Sequence, residues 1–226
     1  MTTKTASTSR ITIQRERIRL AAELMLPGGS PPFPCVLFVH GLGSGKDSPR
    51  NVVVANRLVE AGIAALLFDL SGHGESDDDP RSGHQAFVED LEAVFDWATS
   101  RPEIDSERIG VAGSSLGGVI ALEATRRRLI HPAALVLRAP PAEPHEFAQV
   151  DVPTLVIAGS HDPLLPMIRQ AVTVTECATL AQVEGAGHLF EEPGTLEQAV
   201  QRTVEWFKGH LSGAPEPAIG NLGEVD

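Results

Sequence analysis

The chain has 226 residues, of which 42% are hydrophobic and 21% charged, and its 18 Lys and Arg against 30 Asp and Glu give a net charge of −12. That length suits one domain, and the apolar share excludes a wholly disordered or fibrous chain. The acidic balance disfavours nucleic acid or an anionic membrane as the main partner.

Residues 1–8 are small and polar and read as a flexible tail; the first ten residues lack the apolar stretch of a secretory leader, so a cytoplasmic protein is expected. Ile11–Gln14 and Ile18–Met25 read as an antiparallel hairpin at a sheet edge. Beyond them, Cys35–Val39, Ile63–Phe68, Ile109–Ala112, Ala134–Leu137 and Thr154–Ala158 are short continuous apolar runs, the pattern of buried strands in a parallel sheet covered on both faces. The segments between and after them, Arg50–Ala61, His84–Ser100, Leu116–Arg128, Leu164–Val172 and Thr195–His210, carry apolar residues at helical spacing. Strands alternating with helices predict an α/β fold with a right-handed wound sheet. The connection from Arg138 to Val152 is short and holds Pro140, Pro141 and Pro144, which leaves no room for a lid or cap domain. Residues 212–226 are Pro- and Gly-rich and read as a second flexible tail. No run is long enough to span a bilayer. Cys35 and Cys177 lie far apart without metal-ligand spacing, and both read as small buried apolar residues.

Ligands of open α/β sheets bind beyond the C-terminal strand ends, so the residues there carry the functional information. After Ile109–Ala112 comes Gly113-Ser114-Ser115-Leu116-Gly117, a Gly-x-Ser-x-Gly in which small residues permit a sharp strand-to-helix turn that lifts the central hydroxyl above the sheet. The plainer alternative is a Gly-rich turn with a helix-capping serine. A serine nucleophile needs a base, and the base an acid to fix its tautomer. Asp162, after Thr154–Ala158, and His188, after the apolar stretch Ala178–Val183, stand past strand ends in the order serine, acid, histidine that this architecture expects. The loop after Val39 can supply one oxyanion donor, the Leu42 N–H, and the start of the helix beyond Ser115 another, the Leu116 N–H. A phosphate loop fails on spacing: His40 stands where its first glycine belongs, and Asp47 where Ser or Thr belongs.

Over residues 9–211 the chain resembles the α/β-hydrolase superfamily, through His40-Gly41, Asp69-Leu-Ser-Gly72-His73-Gly74-Glu75-Ser76, Gly113-Ser114-Ser115-Leu116-Gly117, Gly159-Ser160-His161-Asp162 and Gly187-His188, in that order. The lidless core and the Gly45–Asn51 continuation look like the dienelactone-hydrolase-like and small serine esterase branch. The stretch Gly187–Gly194 looks like hydrolase domains that in some bacteria are fused to a phosphoribosyltransferase. The resemblance implies a mostly parallel sheet of about eight strands with helices on both faces. Dienelactone hydrolases proper place a cysteine at the elbow and dehalogenases and epoxide hydrolases a carboxylate, so Ser115 implies serine-ester chemistry.

The expected reaction is cleavage of a small to medium carboxylic ester through an acyl-enzyme, with Ser115, His188 and Asp162 catalytic, Leu42 and Leu116 forming the oxyanion hole, and no cofactor or metal. Arg138, at a strand end, could hold a substrate carboxylate or pair with a nearby acid. Phe147, Leu164 and Leu189 are expected to line the substrate pocket. His73 and Asp69 read as turn residues, His161 as a loop residue, Glu75–Asp79 as a solvated acidic loop, and Arg126–Arg128 as a solvated helix end. Other readings are a thioesterase, lactonase or peptidase with the same three residues, or a binding module without turnover. A homodimer is compatible with hydrolases of this size.

Overall fold

The computed structural model describes residues 5–81 and 83–211. The predicted tail 212–226 and residues 1–4 lie outside the described residues, while β1 (Ser7–Arg15) starts inside the predicted N-terminal tail. It pairs antiparallel with β2 (Ile18–Leu26), and β2 pairs antiparallel with β4 (Ala64–Phe68). The remaining strands, β3 (Phe33–Val39), β5 (Ile104–Ser114), β6 (Ala134–Arg138), β7 (Thr154–Gly159) and β8 (Ala178–Val183), join β4 in parallel. The sheet order is β1-β2-β4-β3-β5-β6-β7-β8, so the hairpin forms one edge and β3 and β5 lie at the centre.

Strand periodicity sorts the core into two layers. In β3, Cys35, Leu37 and Val39 face one side and Val36 and Phe38 the other; in β4, Leu66 and Phe68 oppose Ala65 and Leu67 in the same way. The first layer is completed by α2 (His84–Thr99), α3 (Leu116–Arg126) and α5 (Leu165–Val172), through residues such as Leu91, Ile120 and Ile168. The second is completed by α1 (Pro49–Glu60) and α6 (Thr195–Leu211), through Leu58 and Phe207. Every residue of β3 is buried, as a strand covered on both faces requires.

Two expectations, the solvated acidic loop and a buried Cys177, are corrected, and one connection gains an element. The Arg138–Val152 connection contains a short helix, α4 (Pro144–Phe147), with Pro144 in its first turn and the Glu143 N–H bonded to Glu146 Oε2 at 2.6 Å. The acidic segment is not a freely solvated loop: Asp79 is buried and pairs with Arg15 and Arg81, and Asp77 accepts Arg19. These carboxylates stitch the segment to the edge hairpin. Cys35 is buried and its thiol pKa is pushed up by that burial, but Cys177 is only partly buried. Arg126 and Arg127, at the end of α3, pair with Glu123. No helix among the described residues is long and apolar enough to cross a membrane.

Candidate active site

The Gly113–Gly117 turn is dictated by close packing. Ser115 sits between β5 and α3 at φ 51° and ψ −118°, a positive φ that costs a non-glycine residue conformational energy and is held by its surroundings. Its N–H donates to the Arg138 carbonyl at 2.8 Å, and its own carbonyl accepts the Gly118 N–H at 2.9 Å. A β-carbon on Gly113 would come within 2.5 Å of the Gly117 carbonyl oxygen, so the flanking glycines are a steric necessity.

The loops after β7 and β8 are bonded to one another. His161 N–H donates to Ala186 O at 2.9 Å, Ser160 N–H to Val183 O at 2.9 Å, and Gly185 N–H to Ser160 Oγ at 2.8 Å. A β-carbon on Gly159 would stand 2.1 Å from the Ala186 carbonyl oxygen, so the two loops can approach this closely only with glycine there. Glu192 Oε2 accepts the Gly187 N–H at 3.0 Å, which tightens the turn carrying His188 and, with other backbone donors, holds the Glu192 pKa below its ordinary range.

These restraints bring the three predicted residues together. His188 Nδ1 lies 2.9 Å from Asp162 Oδ2, and His188 Nε2 lies 3.3 Å from Ser115 Oγ. The Asp162 carboxylate is fully buried, and its other oxygen accepts the Leu164 N–H at 2.9 Å. An ionised carboxylate facing Nδ1 places the ring proton there and leaves Nε2 as an acceptor toward the hydroxyl.

Leu42 borders the same pocket as Ser115, and Leu116 opens α3 directly after it. Neither backbone N–H has an acceptor among the described residues. The Leu42 loop is anchored from below. His40 is buried, its Nε2 accepts the Leu70 N–H at 3.0 Å, and its Nδ1 lies 2.9 Å from Gly41 O. Burial lowers the His40 pKa, which keeps the ring neutral for that pair of bonds. Asp69 takes the turn role expected of it, accepting the Lys46 N–H at 2.6 Å and Lys46 Nζ at 2.9 Å. His73 likewise packs between His40 and Phe87 and does not line the pocket.

The pocket over Ser115 has a volume of about 250 Å³ and is bordered by His188, Arg138 and Leu189, as predicted, and by Arg50 and Asn51. Leu42 and Leu189 expose apolar surface at its mouth. Phe147 and Leu164 are corrected: neither borders it. Phe147 is completely buried because α4 packs on α3 and α5 and turns its ring into the core. The Leu164 side chain also packs on that core, and its contribution to the site is the backbone N–H on Asp162. Sequence reasoning missed that N–H, as well as Glu192 and the Asn51–Ser114 pair around Arg138. A larger open groove of about 650 Å³ lies between β1 and α2, bordered by Arg15, Glu92 and Trp97, and contains none of these residues. His161 is exposed outside the pocket, and no cluster of three or more His, Cys, Asp or Glu suited to a metal occurs among the described residues.

Residues 30–149 match the family described as serine aminopeptidase, S33. A Mycobacterium tuberculosis protein provisionally named a phosphoribosyl transferase is 36% identical over 211 residues, which are 89% of this chain and 46% of that protein. The chain thus spans about half the length of this relative. An uncharacterised Mycobacterium tuberculosis protein is 30% identical over 200 residues, 76% of this chain and 68% of the relative. Among solved structures, dienelactone hydrolase from Anabaena variabilis superposes with a TM-score of 0.82 at 31% identity, covering 92% of this chain and all, 100%, of that one. Est1E of Butyrivibrio proteoclasticus, solved with ferulic acid, gives a TM-score of 0.81 at 20% identity over 90% of this chain and 100% of its own, a likeness of fold. With eight strands in the order described and these matches along most of its length, the chain belongs to the α/β-hydrolases, in the family described as serine aminopeptidase, S33, and is a dienelactone-hydrolase-like member.

Proposed function

We propose that this hydrolase is a serine esterase that cleaves carboxylic esters of small to medium size through an acyl-enzyme. Ser115 Oγ attacks the ester carbonyl as His188 Nε2 takes its proton, and the Leu42 and Leu116 N–H groups stabilise the oxyanion that forms. The tetrahedral adduct collapses, the bond to the alcohol oxygen breaks, and His188 returns the proton to that oxygen. Water then attacks the acyl carbon with His188 again accepting a proton, the bond to Ser115 Oγ breaks, and the proton goes back to the serine. Throughout, Asp162 fixes the Nδ1–H tautomer and stabilises the imidazolium.

The observation that carries this reading is the chain of contacts from Asp162 through His188 to Ser115, at 2.9 and 3.3 Å, on a serine held at positive φ. The exposed Leu42 and Leu189 at the mouth favour an apolar portion of modest size.

Intact-protein mass after treatment with a fluorophosphonate tests it. One adduct on the wild type and none on folded Ser115→Ala is expected, together with loss of nearly all turnover in that variant. A folded wild-type protein that takes no adduct, or a Ser115→Ala protein with wild-type rates, overturns the assignment. A panel of matched esters, thioesters, lactones and aminoacyl amides then separates the esterase from other acyl transfers using the same residues.

A further inference from the structure

Resting on the serine-esterase reading, we infer that the buried Lys46–Asp69 pair is a positioning device for the oxyanion hole: it fixes the loop that presents the Leu42 N–H, so that its loss falls on the tetrahedral state and only weakly on substrate binding.

The inference starts from a loop with too much freedom for its task. Between β3 and α1 the chain reads His40-Gly41-Leu42-Gly43-Ser44-Gly45-Lys46-Asp47-Ser48, with glycine at every second position from 41 to 45. An oxyanion donor is effective only when its direction is fixed before the charge forms, and glycines leave a backbone free to turn it away. Within the loop the main chain closes two turns, Ser44 N–H onto Gly41 O at 3.2 Å and Ser48 N–H onto Gly45 O at 3.1 Å. The Leu42 side chain is 77% exposed, so packing does not hold it. The direction of its N–H is therefore set by what grips the loop on either side.

His40 grips the start through its bond from the Leu70 N–H. Lys46 grips the end, and through more bonds. Its N–H donates to Asp69 Oδ1 at 2.6 Å and its Nζ to Asp69 Oδ2 at 2.9 Å, so one carboxylate holds both the main chain and the side chain of a single residue. Nζ also donates to Glu75 Oε2 at 2.6 Å. The Lys46 and Asp69 side chains are only 4% and 1% exposed. The carboxylate has no room to shift. Its Oδ2 accepts the Glu75 N–H at 3.0 Å, and a β-carbon on Gly45 would stand 2.8 Å from Oδ1 and one on Gly74 2.2 Å from Oδ2. Asp69 is itself tied to the edge hairpin and its own turn, its N–H donating to Ala21 O at 2.9 Å and its carbonyl accepting the Ser76 hydroxyl at 2.6 Å.

Stability alone does not account for this arrangement. Taking two charges out of water offsets most of what their attraction returns, so a buried pair contributes little net stability, while the direction it imposes is retained. Burial lowers the Lys46 pKa, but the bonds to Glu75 and Asp69 outweigh it and bring it up to about 12, so the ammonium keeps its charge at neutral pH. Neither Lys46 nor Asp69 borders the pocket over Ser115, whereas Leu42, Ser44 and Ser48 of the loop do. The pair acts on the reaction only through the loop.

The test is made on the full chain with three readouts: kcat and KM for 4-nitrophenyl butyrate, the inhibition constant of trifluoroacetophenone, and the rate of labelling by a fluorophosphonate. The ketone accepts Ser115 Oγ at its carbonyl and forms an oxyanion in the same hole. Lys46→Met is expected to lower kcat by about tenfold or more, short of the hundredfold or more that deletion of a donor costs, with KM changed less than about twofold. Trifluoroacetophenone should weaken in proportion to kcat/KM. Lys46→Arg is expected to recover part of kcat. Gly45→Ala reaches the same loop without touching either charge, since its β-carbon displaces the backbone from Asp69 Oδ1. The same pattern is expected there, which keeps the test decisive if Lys46→Met does not fold. Arg15→Met breaks a buried ion pair in the edge hairpin, away from the pocket, and is the control: it should lose stability and keep kcat. Wild-type kcat and ketone affinity in folded Lys46→Met and in Gly45→Ala, or a loss confined to KM or to the urea midpoint, overturn the positioning role and leave the esterase reading standing. If the wild type takes the fluorophosphonate but turns over no ester, the labelling rates of the same variants decide, an unchanged rate overturning the role. A wild type that takes no fluorophosphonate overturns the esterase reading and this role together.

Discussion

Gly117 is packed against Val39 so closely that a β-carbon on it would lie 2.2 Å from the Val39 carbonyl oxygen and 2.7 Å from the His40 carbonyl oxygen. The contact ties the first turn of α3 to the end of β3, the two elements that carry the Leu116 and Leu42 N–H groups. Gly117→Ala therefore forces the helix start away from the β3 loop. The expected result is a loss of stability of roughly 1–3 kcal/mol, typical of overpacking a tight contact, with ester turnover falling further than the stability loss explains. Chemical denaturation and kcat measured on the same preparation check it; a variant with wild-type stability and turnover means that the contact is not maintained.

Asp162→Asn replaces the buried carboxylate by an isosteric amide. Its oxygen can keep the Leu164 N–H, bonded at 2.9 Å, so the loop has reason to stay in place. The group facing His188 Nδ1 then becomes a donor, which favours the wrong imidazole tautomer and removes the charge that stabilises the imidazolium. A fall in kcat of roughly a thousandfold or more, with little change in unfolding midpoint, is expected. Retention of most of the wild-type rate would assign Asp162 no part in turnover and would point to another acid.

The parts of this site that sequence makes legible are those fixed locally. Ser115, Asp162 and His188 each follow a strand within a short glycine-containing segment, so residue type and position suffice to single them out. Long-range pairings are another matter. The Arg138 hydrogen bond to Asn51 spans 87 residues, and which side of the sheet the guanidinium takes is decided by strand register. Phe147 shows the converse failure: the prolines of its connection exclude a lid, but only the packing of α4 on α3 and α5 decides that the ring enters the core. Glu75–Asp79 reads as solvated because, apart from Arg81 beside Asp79, its neutralising partners are far away in sequence. Its partners Arg15 and Arg19 lie in the hairpin and reach it only through tertiary folding.

His40 gives the protein a specific acid sensitivity. Burial lowers its folded pKa below the ordinary imidazole value near 6.5, so the unfolded chain takes up a proton at a pH where the folded chain does not. Stability then rises with pH through that window: the contribution is complete above the ordinary value and is lost as pH falls below it. Protonation also removes the acceptor for the Leu70 N–H, which loosens the Leu42 loop. Urea midpoints measured between about pH 7 and pH 5 should fall, and His40→Asn should flatten that slope while lowering the pH 7 midpoint. An unchanged slope in the variant would place the titration elsewhere.

Arg15 is a buried cation with three carboxylates around it. It is buried at the end of β1 and meets Asp90 at 2.9 Å and Glu89 at 2.9 Å, with Asp79 in direct contact. Asp90 is itself completely buried, its pKa raised first by that burial, and its Oδ2 accepts the Ser71 N–H at 2.8 Å. Arg15→Met keeps most of the side-chain volume but leaves Asp90 buried without its cation, an arrangement that typically costs about 3–5 kcal/mol. The double variant Arg15→Met, Asp90→Asn removes the orphaned charge and should recover a large part of the loss, whereas Asp90→Asn alone leaves the cation paired with Asp79 and Glu89 and should cost less than Arg15→Met. Denaturation of the wild type, both single variants and the double variant forms a closed cycle, and additive effects would show that the two residues do not stabilise one another.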